Sequence, residues 1–286
     1  MRHLRTPTPQ PGVPVIRQSR VRRRKGVRVT LTGRDREVLL SLGRFRLART
    51  SQLYRYAFAG IRRDTAAARL RRLFDSRHVS VVRSGPLAEN LYRLGPLGRQ
   101  ALQAEGVRLG AAPRGAIEHH LGIVESWTRF ATEPEVELAR CLPDWELREE
   151  LGLGELAIIP DLFALIRLQD QLVPLAVEVD CGTENASVLR SKAERYAALW
   201  GRSPGLFGWQ RFALVVVLHA PQRRAIAAAA LKKVWVLPHA ITSADEPLYS
   251  ALLPLLAQLH PPLSASPCRE GSPQGESHAR REGASS

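Results

Sequence analysis

The chain has 286 residues, of which 44% are apolar and 24% charged, with 42 Lys+Arg against 27 Asp+Glu. The length predicts two domains of ordinary size. No apolar run approaches the roughly 20 residues of a membrane helix, and the Arg-studded N-terminus has no signal-peptide core, so a membrane class is excluded and a cytoplasmic location expected.

The net charge of +15 is unevenly spread. Residues 1–115 hold 26 Lys+Arg and 6 Asp+Glu, a net of +20, whereas residues 116–286 hold 16 and 21, a net of −5. The first part therefore reads as a polyanion binder, and the second must do something else. Cys141, Cys181 and Cys268 lie far apart without a His or Cys at zinc-finger spacing. They are expected to be reduced, with no zinc.

Residues 1–28 carry four prolines and no acid. This composition predicts a disordered basic arm in which Arg22, Arg23, Arg24 and Lys25 lie along a phosphate backbone or in a minor groove; a solvated tail is the alternative. Thr32 can cap a helix carrying Val38, Leu39 and Leu42 at helical spacing, and Thr50 or Ser51 can cap a second with Leu53 and Tyr56. A third, from about Arg62 to Ser76, turns Ala66, Leu70, Leu73 and Phe74 inward. Arg62, Arg69 and Arg72 line its outer face, with Arg63 and Arg71 on the flanks. VSVVR and NLYRL are short strands around SGPLAE, and a helix starts near Pro96. Three helices and a hairpin over residues 29–106 predict a winged helix-turn-helix, with the third helix as the major-groove reader and residues 84–90 as the wing tip. An arginine stripe alone is most simply a solvated face. On that helix, within so basic a half, it favours double-stranded DNA as the partner.

Residues 107–115 are small and rich in Gly and Pro, which predicts a linker. A second domain is expected over residues 116–260, followed by an unstructured tail over 261–286. IEHHLGIVESWTRFA reads as a helix with Leu121, Val124 and Trp127 inside and His120 and Glu125 near the edges. DWELREE reads as a short strand, ELAIIPDLFALIRL as a longer one holding Asp161, and LVPLAVEVD as a strand buried on both faces with Glu178 and Asp180 at its end. Gly182 makes a turn, and Thr183 can cap a helix from about Glu184 to Trp200 on which Val188, Lys192 and Tyr196 align inward. RFALVVVLHA is another buried strand. The segment from Arg223 to Lys233 reads as a helix, and VWVLP as a last strand. The fold class is α/β (α+β).

Asp161, Glu178 and Asp180 are thus expected to converge on the start of the helix bearing Lys192. Two or three carboxylate oxygens at one point suit a hard cation such as Mg2+, which can activate water for displacement at phosphorus while a lysine neutralises charge. Several plainer readings stand beside this one. Glu178 and Asp180 can pair with Lys192 and Arg195 as a structural network. His119 and His120 read as a helix-edge pair, because adjacent helical residues point apart. Cys181 reads as a turn residue, and Tyr196 and Trp200 as core.

PD at 160–161, EVD at 178–180 and the downstream Lys192 resemble the PD-(D/E)XK nuclease superfamily. More narrowly, LTGRDREVLLSLGRFRL, HHL, PD, and EVDCGTE followed by K-x-x-x-Y resemble the replication-relaxation family of plasmid and mobile-element proteins, over roughly residues 30–240. The resemblance implies a restriction-endonuclease-like αβββαβ second domain. Asp161 and Glu178 would be its metal ligands, Glu125 its helical acid, and Lys192 a catalytic lysine moved from strand to helix, because Asp180 stands where that lysine usually lies. It further implies a DNA-binding protein of replication, relaxation or mobilisation. Its second domain is then either a Mg2+-dependent endodeoxyribonuclease or a nuclease-like fold kept for binding, with a second copy of the chain or replication and mobilisation proteins as partners. The alternative is a winged-helix transcriptional regulator whose second domain dimerises or senses a ligand.

Overall fold

The computed structural model describes residues 22–24, 26–82, 88–110, 116–151, 158–182, 185–234 and 236–259. Most of the basic arm, Lys25, residues 84–87 of the expected wing tip, residues 111–115 of the expected linker, Thr183, Glu184 and the expected tail lie outside them. The fold is mixed α/β, with helices and two sheets.

The first unit is mostly helical. Helix α1 (Gly33–Phe45) starts at Thr32, whose hydroxyl accepts from Asp35 N at 3.3 Å while Asp35 Oδ2 accepts from Thr32 N at 2.7 Å. This reciprocal cap satisfies amide groups that a helix start leaves open. Strand β1 (Ala48–Arg49) leads into α2 (Thr50–Ala57). Neither Thr50 nor Ser51 caps α2 as the sequence suggests: both are already helical, and Thr50 Oγ1 donates to Asn90 O on the neighbouring strand side instead. Gln52 ties the first turn by accepting from Arg49 N at 2.8 Å. Helix α3 (Arg63–Asp75) buries Ala66, Leu70, Leu73 and Phe74, as helical spacing requires. Strands β2 (Val79–Val82) and β3 (Leu91–Leu94) pair antiparallel, β1 adds to the other edge of β3, and α4 (Pro96–Ala104) follows.

The second unit is a five-stranded sheet between helices. Its order is β4 (Glu137–Pro143), β5 (Leu162–Leu168), β6 (Gln171–Asp180), β7 (Ala213–Leu218) and β8 (His239–Ser243). The first three strands run antiparallel. From β6 onward they are parallel, joined by crossovers through α7 (Ala186–Leu199) and α8 (Arg224–Leu231). Side-chain alternation divides the sheet's faces. Val177, Val179, Val215 and Val217 meet α5 (Ile117–Thr132) and α9 (Leu248–Leu259), and Ala176, Leu214, Val216 and Leu218 meet α7 and α8.

Three strand expectations need correcting. DWELREE is a helix, α6 (Asp144–Leu151): Asp144 and Glu146 occupy the first turn, where the helix dipole favours them, and Asp144 and Arg148 pair one turn apart at 3.2 Å. The strand lies just upstream as β4, a mostly solvated edge with a register shift between Leu138 and Arg140 that obscures its alternation. Of VWVLP, the described residues Val234 and Val236 to Pro238 are not in a strand either. Lys232–Val234 form a 3-10 turn, Val234 and Leu237 plug the core, and β8 begins only after Pro238. Asp161 immediately precedes β5 instead of lying within it.

The units share one core across α5. Phe45 of α1 and Tyr56 of α2 pack on Trp127, with ring centroids at 4.7 and 4.8 Å. Around this contact, arginines of the first unit meet acids of the second: Arg44 with Glu146, Arg49 with Glu118, Arg55 with Glu125, and Arg108 with Glu149. Gln52 Nε2 also donates to Leu121 O at 2.9 Å. Four of the first unit's arginines are therefore matched by acids of the second. Among the described residues, no helix is long and apolar enough to cross a membrane.

Candidate functional site

The end of β6 builds an acid pocket. Alternation sends Ala176, Glu178 and Asp180 to the α7/α8 face, and Glu178 and Asp180 are only 3% and 4% exposed. Helix α7 starts at Asn185, whose side-chain oxygen accepts from Val188 N at 3.0 Å, the capping part expected of Thr183. Lys192 and Tyr196, one turn apart, both reach Glu178: Lys192 Nζ donates to Oε2 at 2.8 Å and Tyr196 Oη to Oε1 at 2.5 Å. Val188, expected on the same inward line, is exposed, and Leu189, Ala193 and Tyr196 form the buried stripe.

Asp180 does not share this arrangement. Its Oδ2 accepts from Arg223 Nε at 2.7 Å and its Oδ1 from Gly182 N at 2.7 Å. Gly182 has φ +90°, a left-handed conformation that glycine adopts without strain, and so turns the chain out of the strand. The partner of Asp180 is thus Arg223 from the segment before α8, where the sequence suggested Arg195.

Asp161 reaches the pocket from the start of β5. Beyond the β5 ladder its Oδ2 accepts from Val179 N at 2.8 Å, and its Oδ1 lies 3.1 Å from His119 Nε2. Helix α5 can come this close because Gly122 has no side chain; a Cβ there would lie 2.9 Å from Val179 Cγ1 and 3.0 Å from Cys181 Sγ. The two histidines separate as adjacent helical residues do, but neither is an idle edge residue. His119 meets the acid, and buried His120 donates to Phe45 O at 2.6 Å. Glu125 is not brought to these acids: it faces the first unit, where Arg55 and Gln52 hold its carboxylate.

Burial, and then the charge of Asp161, push Glu178 up to about 8, against the pull of Lys192 and Tyr196. Two donors on one carboxylate favour the ionised form and burial favours the neutral one; burial prevails. Hydrogen bonding to Asp161, and then to Cys181, raises His119 to about 10, so it is an imidazolium at neutral pH. Burial and the Glu178 charge hold Tyr196 protonated. All four oxygens of Asp161 and Glu178 thus already accept from Val179, His119, Lys192 and Tyr196. Among the described residues no three His, Cys, Asp or Glu side chains gather into a metal-binding set. A magnesium ion on both acids would have to displace His119 or Lys192, and the donor set therefore fits a resident ion poorly.

The expected DNA-binding residues fall into two groups. Arg62, at the N-cap of α3, and Arg63 and Arg72 within it are exposed, and Arg62 makes a 3.9 Å solvent-facing contact with Asp64. Arg69 instead braces α3 against α1, donating to buried Asp35 at 2.8 Å and to Thr30 O at 2.8 Å. Arg71 donates to Asp75 at 3.0 Å and to Arg22 O at 2.8 Å. Arg24 N donates to Asp75 at 3.1 Å, and the Arg23 guanidinium lies 4.5 Å from the Phe74 ring centroid. The end of the arm is thus docked beside α3, where Arg22, Arg23, Arg24 and Arg71 surround an open cleft of about 560 Å³.

A family model described as replication-relaxation matches residues 39–207, more than half of the chain, from within α1 to beyond α7. The match includes Asp161, Glu178 and Lys192. No curated protein and no solved structure matches.

Proposed function

The chain belongs to the replication-relaxation family, and from that premise we propose that it binds duplex DNA of a plasmid or other mobile element during replication or relaxation. The first unit serves as a winged helix-turn-helix with α3 toward the major groove. The second is a restriction-endonuclease-like domain kept for positioning and assembly. The observation that carries this reading is the contrast between two sets of arginines on one small unit. Those facing the sheet unit are neutralised by its acids, whereas Arg62, Arg63 and Arg72 point to solvent, and Arg22 and Arg24 dock at the C-terminal end of α3. Exposed guanidinium groups suit phosphate and base edges alike. The order α2, α3, β2, β3 supports the winged-helix assignment. The test is duplex affinity measured against salt: a steep fall in log K with log salt is expected, and a slope indistinguishable from zero would overturn the reading.

A second reading, a Mg2+-dependent endonuclease, is favoured by one distance. Lys192 Nζ, 2.8 Å from Glu178, supplies from α7 the ammonium that Asp180 displaces from the strand. The engagement of every carboxylate oxygen by the protein itself weighs against it. Nicking of supercoiled DNA that needs Mg2+ and disappears in both Asp161→Ala and Lys192→Met would establish the nuclease. Intact DNA with Mg2+ and Mn2+ leaves the binding role.

A further inference from the structure

Neither the acid pocket nor the exposed arginines of α3 account for the cleft at the C-terminal end of that helix. Arg22, Arg23, Arg24 and Arg71 line it, over a volume of about 560 Å³. Three of these residues come from the chain ahead of α1, and the protein itself holds them in place. Arg71 Nη2 donates to Arg22 O at 2.8 Å, and Arg24 N donates to Asp75 Oδ1 at 3.1 Å. Arg23 Nη2 donates to Ser80 Oγ of β2 at 3.2 Å, while its guanidinium lies 4.5 Å from the Phe74 ring centroid. Arginines on a solvated tail repel one another and separate. These are kept together by contacts with α3 and β2.

The like charges so gathered are short of counter-charge. Asp75 pairs with Arg71 at 3.0 Å, and among the described residues no acid forms an ion pair with Arg22, Arg23, Arg24 or Arg77. Arg77 is exposed just past the end of α3, and burial, followed by the Arg77 charge, pushes Arg23 below its ordinary value against the pull of Asp75. The helix end adds only about half a negative charge. Five guanidinium groups therefore share one carboxylate, and what is missing is an anion. Guanidinium forks match the oxygens of a phosphate. Arg71 lies about 14 Å along α3 from Arg62, more than the roughly 12 Å width of a major groove. A helix whose first turn meets base edges thus carries this cleft to the flanking strand. We propose that the cleft is a built phosphate site, in which the docked residues 22–24 and Arg71 together grip a backbone phosphate of the duplex. Its place on the duplex rests on the DNA-binding reading above, whereas the phosphate site itself does not.

The full chain is first titrated with inorganic pyrophosphate, without nucleic acid, following the thermal midpoint. The parent's midpoint should rise saturably, and the rise should vanish in the double variant Arg22→Ala, Arg24→Ala, whose exposed side chains leave the fold intact. No rise in the parent, or an equal rise in the variant, would overturn the phosphate site whatever the duplex does. Duplex affinity is then measured against salt. The double variant should bind on the order of tenfold more weakly, with a salt slope smaller by as much as ~2. Arg71→Lys keeps the net charge but loses the fork that holds the Arg22 carbonyl, and should weaken duplex binding about threefold or more. Duplex affinity and slope equal to the parent's in both variants would mean that the cleft takes a free phosphate ligand, and would overturn the backbone assignment. Parent-like binding by Arg71→Lys alone would mean that charge acts there without docking, and would overturn the built site. A parent with no salt slope sinks the DNA-binding reading, and the pyrophosphate arm keeps that failure separate.

Discussion

The two sides of the helical unit carry the same residue type under opposite conditions. On the side facing the sheet, Arg44, Arg49, Arg55 and Arg108 each meet a glutamate of the other unit, and Arg44 also stacks over Phe45 and Trp127 at 5.3 and 5.5 Å. On the α3 side, Arg62, Arg63 and Arg72 meet solvent. The difference teaches that a net charge read from sequence bounds what a surface offers but does not locate it. Four of the acids that make the second half negative, Glu118, Glu125, Glu146 and Glu149, are counter-charges of the first.

This contrast can be broken or sharpened by substitution. The largest effect is expected deep on the partnered side. Glu178→Ala leaves Lys192 and the Tyr196 hydroxyl without their shared acceptor, and breaking such a buried pair should lower unfolding free energy by about 3–5 kcal/mol in chemical denaturation. Replacing Arg62, Arg63 and Arg72 together by Ala should do the reverse. Duplex affinity should fall on the order of 100-fold, with the salt slope smaller by as much as ~3, while the thermal midpoint stays unchanged. An unaltered slope would mean that α3 is not the contact surface. Arg44→Ala removes an ion pair, a bond to Cys141 O and the stack on two rings, and should cost about 1–3 kcal/mol of stability with little change in duplex binding.

A smaller and pH-dependent effect is expected at His119. Its folded value, near 10, lies above its ordinary 6.5. Its stabilising contribution is therefore complete below 6.5 and lost as pH rises through about 10, and His119→Gln should flatten the stability profile over that window. Glu178, raised from 4.5 to about 8, acts in the same sense at lower pH: the protonated side is favoured and stability declines as pH rises through that range. The smallest effect is expected at Arg36, whose pair with Glu105 is exposed on both sides. Arg36→Ala should change stability by less than about 0.5 kcal/mol.

What the sequence made legible follows the range of each interaction. Helices α1, α3 and α5 and strand β6 were readable because apolar spacing is a local signal. The meeting of Lys192 with Glu178 was readable because one residue ends a strand and the other lies inside the following helix. Strand β4 was hidden by its solvated edge, and DWELREE by a short alternation that fits a helix equally well. Arg223, 43 residues from Asp180, and Glu146, 102 residues from Arg44, carry no local pattern that names their partners. His119 reads from sequence as an edge residue for a different reason. Adjacent helical residues do point apart, but here there is something to meet on both sides.

That last arrangement has a mechanical consequence. His120 is bonded to the end of α1 and His119 to the acid at the start of β5, so consecutive residues of α5 engage both units. Sliding α5 by one residue rotates its side chains by about 100° and would pull both imidazoles from their partners at once. The pair acts as an index pin: its two bonds fit a single register of the helical unit against the sheet.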